Sequence, residues 1–496
     1  MAQAIPYPGF IGSSNRSLSP VASNERTVNF YIEKIQGTVN PKGEFALYPT
    51  PGLGYMGAVS GHTRGRAAFE ENGRVFCVIG ERLFEATYLP LDGLVFIERL
   101  GTLLEGAAGT PAEITSNGDG GGELAIASGN KLYVYNLATN VLTEVLADGA
   151  RHVDSLDGFI VVLDTRDSTL RASNLYDALT FDPLAIEQRA SAPDPWLSLI
   201  VQNGLIYVMG EQTTDVYYNA GLSPFPFQKH TGGSIPYGIA AEYSKARVGD
   251  SVIWLARNED GIGQVVQVVG QQAKIISNFA LSAAIQGYLD AGITIADAIG
   301  ESWEMLGHLF YVLTFPTANA TWLYDDTMGR WTELLSWDIS SNTYRAWRAH
   351  WHVIGFGKHL VLDRENGQIY HLSTTVHTEN AQPIRRLRRA PCLFDGHKRV
   401  FINSLELILE SGLGLSNPVL QGYDPTMLLY RSKDSGRTFT QCGEAKSAGK
   451  LGEYRTRVQW QRLGAGRDLV FEFVVSDPIP WRIIDALIEP RPGAGT

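Results

Sequence analysis

LGHLFYVLTFPTANATWLYDDTMGRW, residues 306–331, reads as a glycine turn, an apolar strand, a second turn, and a strand running through Tyr324-Asp325 into another glycine turn and Trp331. Short runs rich in β-branched and aromatic residues, bounded by Gly, Asn and Pro, are the pattern of hairpins. A strand ending in Tyr-Asp, followed by glycine and tryptophan, suits the outer hairpin of a propeller blade. The unit recurs as NGRVFCVIGERLFEAT from Asn72, GGELAIASGNKLYVYN from Gly121, LDGFIVVLDTRDSTLRAS from Leu156 and QNGLIYVMGEQTTDVYYN from Gln202. It returns as VGDSVIWLARNEDGIGQVVQVV from Val248 and FGKHLVLDRENGQIYHLS from Phe356. Successive starts lie 35 to 58 residues apart, about 47 on average, and four-stranded blades repeat at about 40 to 50 residues. The expectation is an all-β chain: a β-propeller of about seven blades, or six if one unit is incomplete, with a β-sandwich or barrel-like platform.

Composition agrees. Of 496 residues 52 are glycine, and many tight turns between short strands consume glycine in a way that helices do not. With 41 basic against 52 acidic residues the net charge is -11, a poor balance for wrapping phosphate. Three widely spaced cysteines, Cys77, Cys392 and Cys442, offer no disulfide framework or zinc spacing and are expected to be reduced and buried. No run approaches the roughly 18 apolar residues of a membrane span, and the first twenty residues lack a basic patch followed by an apolar stretch. The chain is therefore expected to be soluble and not secreted.

Three segments are expected. Residues 1–50 supply N-terminal strands to the platform, with a flexible Gly/Pro stretch between TVNFYIEKIQG and FALYPTPGLG. Residues 51–383 form the propeller, with a short helical insertion near 279–290, where Phe279, Leu281, Ile285 and Leu289 approach helical spacing and Ser282 is a candidate cap. From residue 384 onward longer alternating strands form the C-terminal platform.

Strong catalytic signatures are missing: there is no Gly-x-Ser-x-Gly, Walker loop, His-Glu-x-x-His or Cys-x-x-Cys. Gly118 to Gly122 lacks the lysine and the helix that phosphate binding needs and reads as a turn. His350 and His352 flank Trp351, and on a regular strand they share a face; two ligands without a third favour ordinary histidines over a metal site. No catalytic, cofactor-binding or metal residue is assigned. Ser432, Asp434, Gly436 and Thr438 match the Asp-box hairpin, Ser-x-Asp-x-Gly-x-Thr-aromatic, in which Ser and Asp bind local amides and Gly takes positive φ. The basic run Arg385, Arg386, Arg388 and Arg389, with Arg455, Arg457, Trp460 and Arg467 in the alternating strands beyond the box, reads as a subunit-contact surface.

The segment from Gly452-Glu453-Tyr454 through Arg467-Asp468-Leu469 to Ser476-Asp477-Pro478 and Ile484-Asp485-Ala486 resembles the close of phage tail proteins of the packaged-DNA stabilisation type, the hub or nozzle of short-tailed bacteriophages. The opening Asn24-Glu25-Arg26-Thr27-Val28-Asn29-Phe30-Tyr31, followed by Tyr48-Pro49-Thr50-Pro51-Gly52-Leu53, is similar to that family's opening. The resemblance implies a structural virion protein, assembled in the bacterial cytoplasm as a homohexameric ring beneath the portal and its adaptor ring. It would carry a needle, spike or fibre, close the channel after packaging, and join the ejection conduit, with DNA passing only transiently. No cofactor or catalysis is implied. The acidic balance suits a channel that DNA must slide through without sticking. The alternative is a sialidase-like or other carbohydrate-active propeller, a depolymerase, which calls for repeated Asp boxes and a cluster of arginines around a Tyr or Glu.

Overall fold

The computed structural model describes residues 4–35, 43–61, 64–91, 93–107, 109–189, 194–258, 261–396 and 398–492. Each of the seven sequence units becomes the two middle strands of an antiparallel sheet. In the second sheet Glu123–Ser128 and Lys131–Asn136 lie between Glu113–Ser116 and Val141–Leu146. Their two-residue turn holds Gly129 and Asn130 at φ 60° and 63°, the primed geometry that matches strand twist and favours these two residue types. The Gly/Pro stretch expected before Phe45 falls at 36–42, outside the described residues.

Seven such sheets stand in sequence among the described residues, and each shares an apolar core with the next. Phe76 of the first meets Tyr135 of the second, ring centroids 5.5 Å apart. Leu360, Leu362 and Ile369 of the seventh pack on Val75, Cys77 and Phe84 of the first, so the sheets close into a ring. The seventh sheet takes its last strand from the opposite end of the chain: Gly52–Ala58 pairs with Gln368–Ser373. Closure therefore removes what would be an open sheet edge. On the axis, buried Lys245 stitches four sheets, donating to Glu113 Oε1 and Ser198 Oγ, each at 2.8 Å, and sitting 3.1 Å from His152 Nδ1. Burial would raise the Glu113 carboxyl, but Lys245 and His152 hold it down at about 2, so a cluster of charged groups ties these sheets to one another.

The helix Phe279–Asp290 lies between the fifth and sixth sheets. Its cap is Asn278, not Ser282: Asn278 is extended (φ -90°, ψ 169°) and its side chain accepts from the Leu281 amide at 2.9 Å. The buried face carries Ala280, Leu281 and Ile285, whereas Phe279 points to solvent.

The platform is a β-sandwich. One sheet orders Phe30–Lys34, Phe45–Pro49, Ile483–Pro492, Val400–Leu409 and Val458–Gly466; the other contains Asn24–Val28, Arg386–Arg389, Val470–Val475 and Thr426–Ser432. Ile402, Leu405, Trp460 and Ile488 of the first face Met427, Leu429, Phe471 and Phe473 of the second in one core. The second sheet runs on into the propeller, because Val28 bridges Glu333 at the edge of the sixth blade. Asn29 sits at the switch between the two sandwich sheets. With φ 59° it lets one strand end and another begin, a conformation Asn tolerates better than most residues. Its amide group donates to Leu335 O and Arg385 O, and its Oδ1 accepts from the Leu335 amide. Beside it Arg26 grips buried Glu333 bidentately, at 2.7 to 2.9 Å. Burial pushes the Glu333 carboxyl up, and the Arg26 charge and hydrogen bonds reverse this and lower it.

A second tie is His308 of the sixth blade, held between Asp325 Oδ2 at 2.7 Å and Glu33 Oε2 of the platform. Hydrogen bonding to Asp325 raises the imidazole's pKa against the opposing effect of burial, and Glu33 adds to the rise. A raised folded-state pKa contributes stability that is fully present below the unfolded value, about 6.5, and is lost as pH rises through the folded value. The melting temperature of wild type should therefore exceed that of His308→Gln at pH 6, with the gap narrowing as pH is raised toward 9. A gap independent of pH would contradict this tie.

Candidate assembly interface

The Asp box forms the hairpin after Thr426–Ser432. Ser432 Oγ accepts from the Gly436 amide at 2.8 Å; Asp434 Oδ1 accepts from the Thr438 amide at 2.9 Å, and Thr438 Oγ1 donates to Oδ2 at 2.6 Å. Ser432 donates to Asp434, and this together with the other local donors lowers the Asp434 pKa. Ser435 and Gly436 both have positive φ, 60° and 85°. The outcome is a rigid turn whose carbonyls are used: Asn24 Nδ2 donates to Gly436 O at 2.9 Å. The hairpin thus pins the N-terminal strand to the C-terminal sheet. A Cβ at Gly436 would stand 2.5 Å from Asn24 Nδ2.

The arginine run does not form an exposed contact face. Its strand is interior to the sheet, between Asn24–Val28 and Val470–Val475, and the N-terminal residues cover it. Arg388, fully buried, donates to the carbonyls of Gly9 and Phe10, to Thr27 Oγ1 and to Glu25. Arg389 binds Glu472 and Asn24 and stacks 4.4 Å above Phe439 of the Asp box. Arg385 stacks 4.5 Å over Trp337. Arg386 is fully buried with only a long bond to Thr50 O, at 3.4 Å, and burial pushes it down to about 9. Trp460 is 2% exposed in the sandwich core, its Nε1 on Glu444 O. These five side chains hold their own chain together.

Arg455, Arg457 and Arg467 are exposed. Arg457 is paired with Glu406, while Arg455 and Arg467 have no ion-pair partner among the described residues. Charge is divided unevenly along the chain. Residues 51–383 hold 20 basic and 37 acidic side chains, a balance of -17, whereas 1–50 and 384–496 hold 21 and 15, a balance of +6. The acidic excess belongs to the propeller alone.

His350 and His352 do not share a face. Trp351 has φ 61° and the strand bulges between His350 and Val353, which breaks the two-residue alternation. His350 is fully buried, and His352 meets His359, Nε2 to Nδ1, at 2.9 Å. No group of three His, Cys, Asp or Glu suited to a metal ion occurs among the described residues. Of the cysteines, Cys77 is buried but Cys392 and Cys442 are only half-buried, all as free thiols. Sequence reasoning did not single out Asn29 or the Arg26–Glu333 pair; both join residues roughly three hundred positions apart, and a lone Asn between two strands was the only local sign.

The family model described as Bacteriophage P22 Gp10, beta-propeller matches residues 28–377, and Bacteriophage P22 Gp10, beta-sandwich matches 385–489. No curated protein matches the chain. Among solved structures, the N-terminal domain of Nup159 is 11% identical over 70% of this chain and 98% of its own, TM-score 0.40. PorZ of Porphyromonas gingivalis is 12% identical over 80% and 46%, TM-score 0.35. An exo-beta-1,3-galactanase of Phanerochaete chrysosporium is 7% identical over 89% and 100%, TM-score 0.29.

Replacing Gly436 by Ala forces a left-handed non-glycine residue, at about 1–3 kcal/mol, and drives a methyl into Asn24. Gly436→Ala should lower the urea midpoint of sandwich unfolding, followed by tryptophan fluorescence, and Asn24→Ala in the same chain should recover part of the loss. An unchanged midpoint would refute the pinning role.

Proposed function

Because the chain belongs to the bacteriophage P22 Gp10 family through both its propeller and its sandwich, we propose that it is a structural protein of the phage virion, a ring-forming tail hub that stabilises packaged DNA. The observation that carries this reading is the family match over residues 28–377 and 385–489, in register with the two bodies of the fold. In this reading the chain closes as a homohexamer below the portal and adaptor ring, seals the channel after packaging, docks a needle, spike or fibre, and forms part of the ejection conduit. Assembly takes place in the host cytoplasm.

The charge partition supports it. A net basic sandwich with unpaired Arg455 and Arg467 offers planar donors to carboxylates of an adjoining subunit. A propeller at -17 repels both DNA and other propellers, which favours association through sandwiches. The sandwich core and the Asp-box pin keep that surface rigid, so little ordering entropy is lost on association.

The test is co-expression with the cognate portal and adaptor, followed by electron cryo-microscopy. A closed ring of this chain on the adaptor is expected. The double charge reversal Arg455→Glu, Arg467→Glu should stay folded by circular dichroism yet assemble at least tenfold less, leaving heads that lose their DNA. A wild-type chain that stays monomeric and ignores the adaptor would overturn the proposal.

A further inference from the structure

One mouth of the propeller axis is a cavity of about 470 Å³, within the size range of small-molecule sites. Its wall comes from several blades and includes Arg64, Arg151, Arg364, Glu242, Tyr243 and Asp297. Arg151 binds Glu242 at 2.8 Å and stacks 5.4 Å over the Tyr243 ring. Arg64 has a carboxylate, Glu105, no closer than 4.0 Å. Arg364 spends one terminal nitrogen on Glu365 at 3.2 Å, and its buried Nε has no partner.

Polar atoms that the fold leaves unused converge here. His350 is 0% exposed, lines the cavity, and neither ring nitrogen makes a hydrogen bond. Its nearest carboxylate is Glu301, at 3.9 Å. Asp297 uses Oδ2 on the amide and hydroxyl of Thr317, at 2.8 and 2.6 Å, while buried Oδ1 has no partner. A buried polar group without a partner costs free energy, and so does Trp351 at φ 61°, which lines the same cavity. Strain and unpaired polar atoms on one wall single this cavity out as a candidate site.

We propose that this mouth binds a sugar bearing one carboxylate, of the uronic acid kind. Guanidinium groups pair with a planar carboxylate bidentately, and Arg64 and Arg364 are the two least committed. A neutral His350 offers one donor and one acceptor, and Asp297 Oδ1 an acceptor, to ring hydroxyls. With Glu105 and Glu365 contacting Arg64 and Arg364 from outside the lining, the three guanidinium groups carry little uncompensated positive charge. That matches a monoanion better than a phosphomonoester, which carries about -1.5 to -2 at neutral pH. Of the two features a carbohydrate-active propeller calls for, an arginine beside both a Tyr and a Glu is present, Arg151 touching Tyr243 and Glu242. The inference is independent of the hub reading, since binding is measured on the isolated chain whether or not it forms rings.

The experiment is titration of the full chain with glucuronate, glucose and glucose 6-phosphate, followed by calorimetry. Saturable binding of glucuronate is expected, at least tenfold tighter than either other sugar. Arg64→Gln, at the rim, and Arg364→Gln should each weaken it about tenfold with melting temperature unchanged. No saturable binding of glucuronate, equal binding of glucose, tighter binding of glucose 6-phosphate, or indifference to both variants would each overturn the assignment.

Discussion

The N-terminal segment has to be in two bodies at once, and everything else is built around that constraint. Gly52–Ala58 closes the last blade, while Asn24–Val28 and Phe30–Lys34 enter opposite sheets of the sandwich. The change of sheet takes place at one buried residue. Asn29 can do it because it tolerates positive φ and because its side chain satisfies backbone groups of two distant segments, at Leu335 and Arg385. Arg26 on Glu333 and Glu33 on His308 then fasten the same segment to the sixth blade. Propeller and sandwich therefore share strands, not merely a contact surface.

That sharing gives the buried arginines their meaning. An interior strand with four arginines in five positions, 385–389, would be prohibitively costly if its guanidinium groups lacked partners. Backbone carbonyls of residues 9 and 10, Glu25, Glu472 and two aromatic faces supply them for Arg385, Arg388 and Arg389, whereas buried Arg386 has only its long bond to Thr50 O. Both ends of the chain are thus written into one polar network, and Arg455 and Arg467 are among the basic side chains left exposed.

The repeat was legible because each blade's middle hairpin is local: Gly129-Asn130 and its counterparts leave a turn signal within a few residues of two apolar runs. The Asp box was legible for the same reason, since the side-chain bonds that shape the turn fall within four positions. What the pattern of residues could not convey was depth. Arg388 in a sheet interior and Arg455 on a surface look alike until the partners arrive from hundreds of residues away. Trp460 shared a strand with polar neighbours and still pointed into the core. A bulge at Trp351 undid the shared face expected of His350 and His352, because one positive φ shifts the alternation. The axial cavity belongs to several blades and has no single stretch of sequence that announces it.

The joint between propeller and sandwich is most directly tested by native-state hydrogen exchange, resolved by peptide and followed with increasing denaturant. Amides of 24–34 and 45–58 should open in the same cooperative event as those of 368–373 and 483–492, at the free energy of the slowest-exchanging core. Release of 24–34 and 45–58 at low free energy, while blades and sandwich remain protected, would contradict the account.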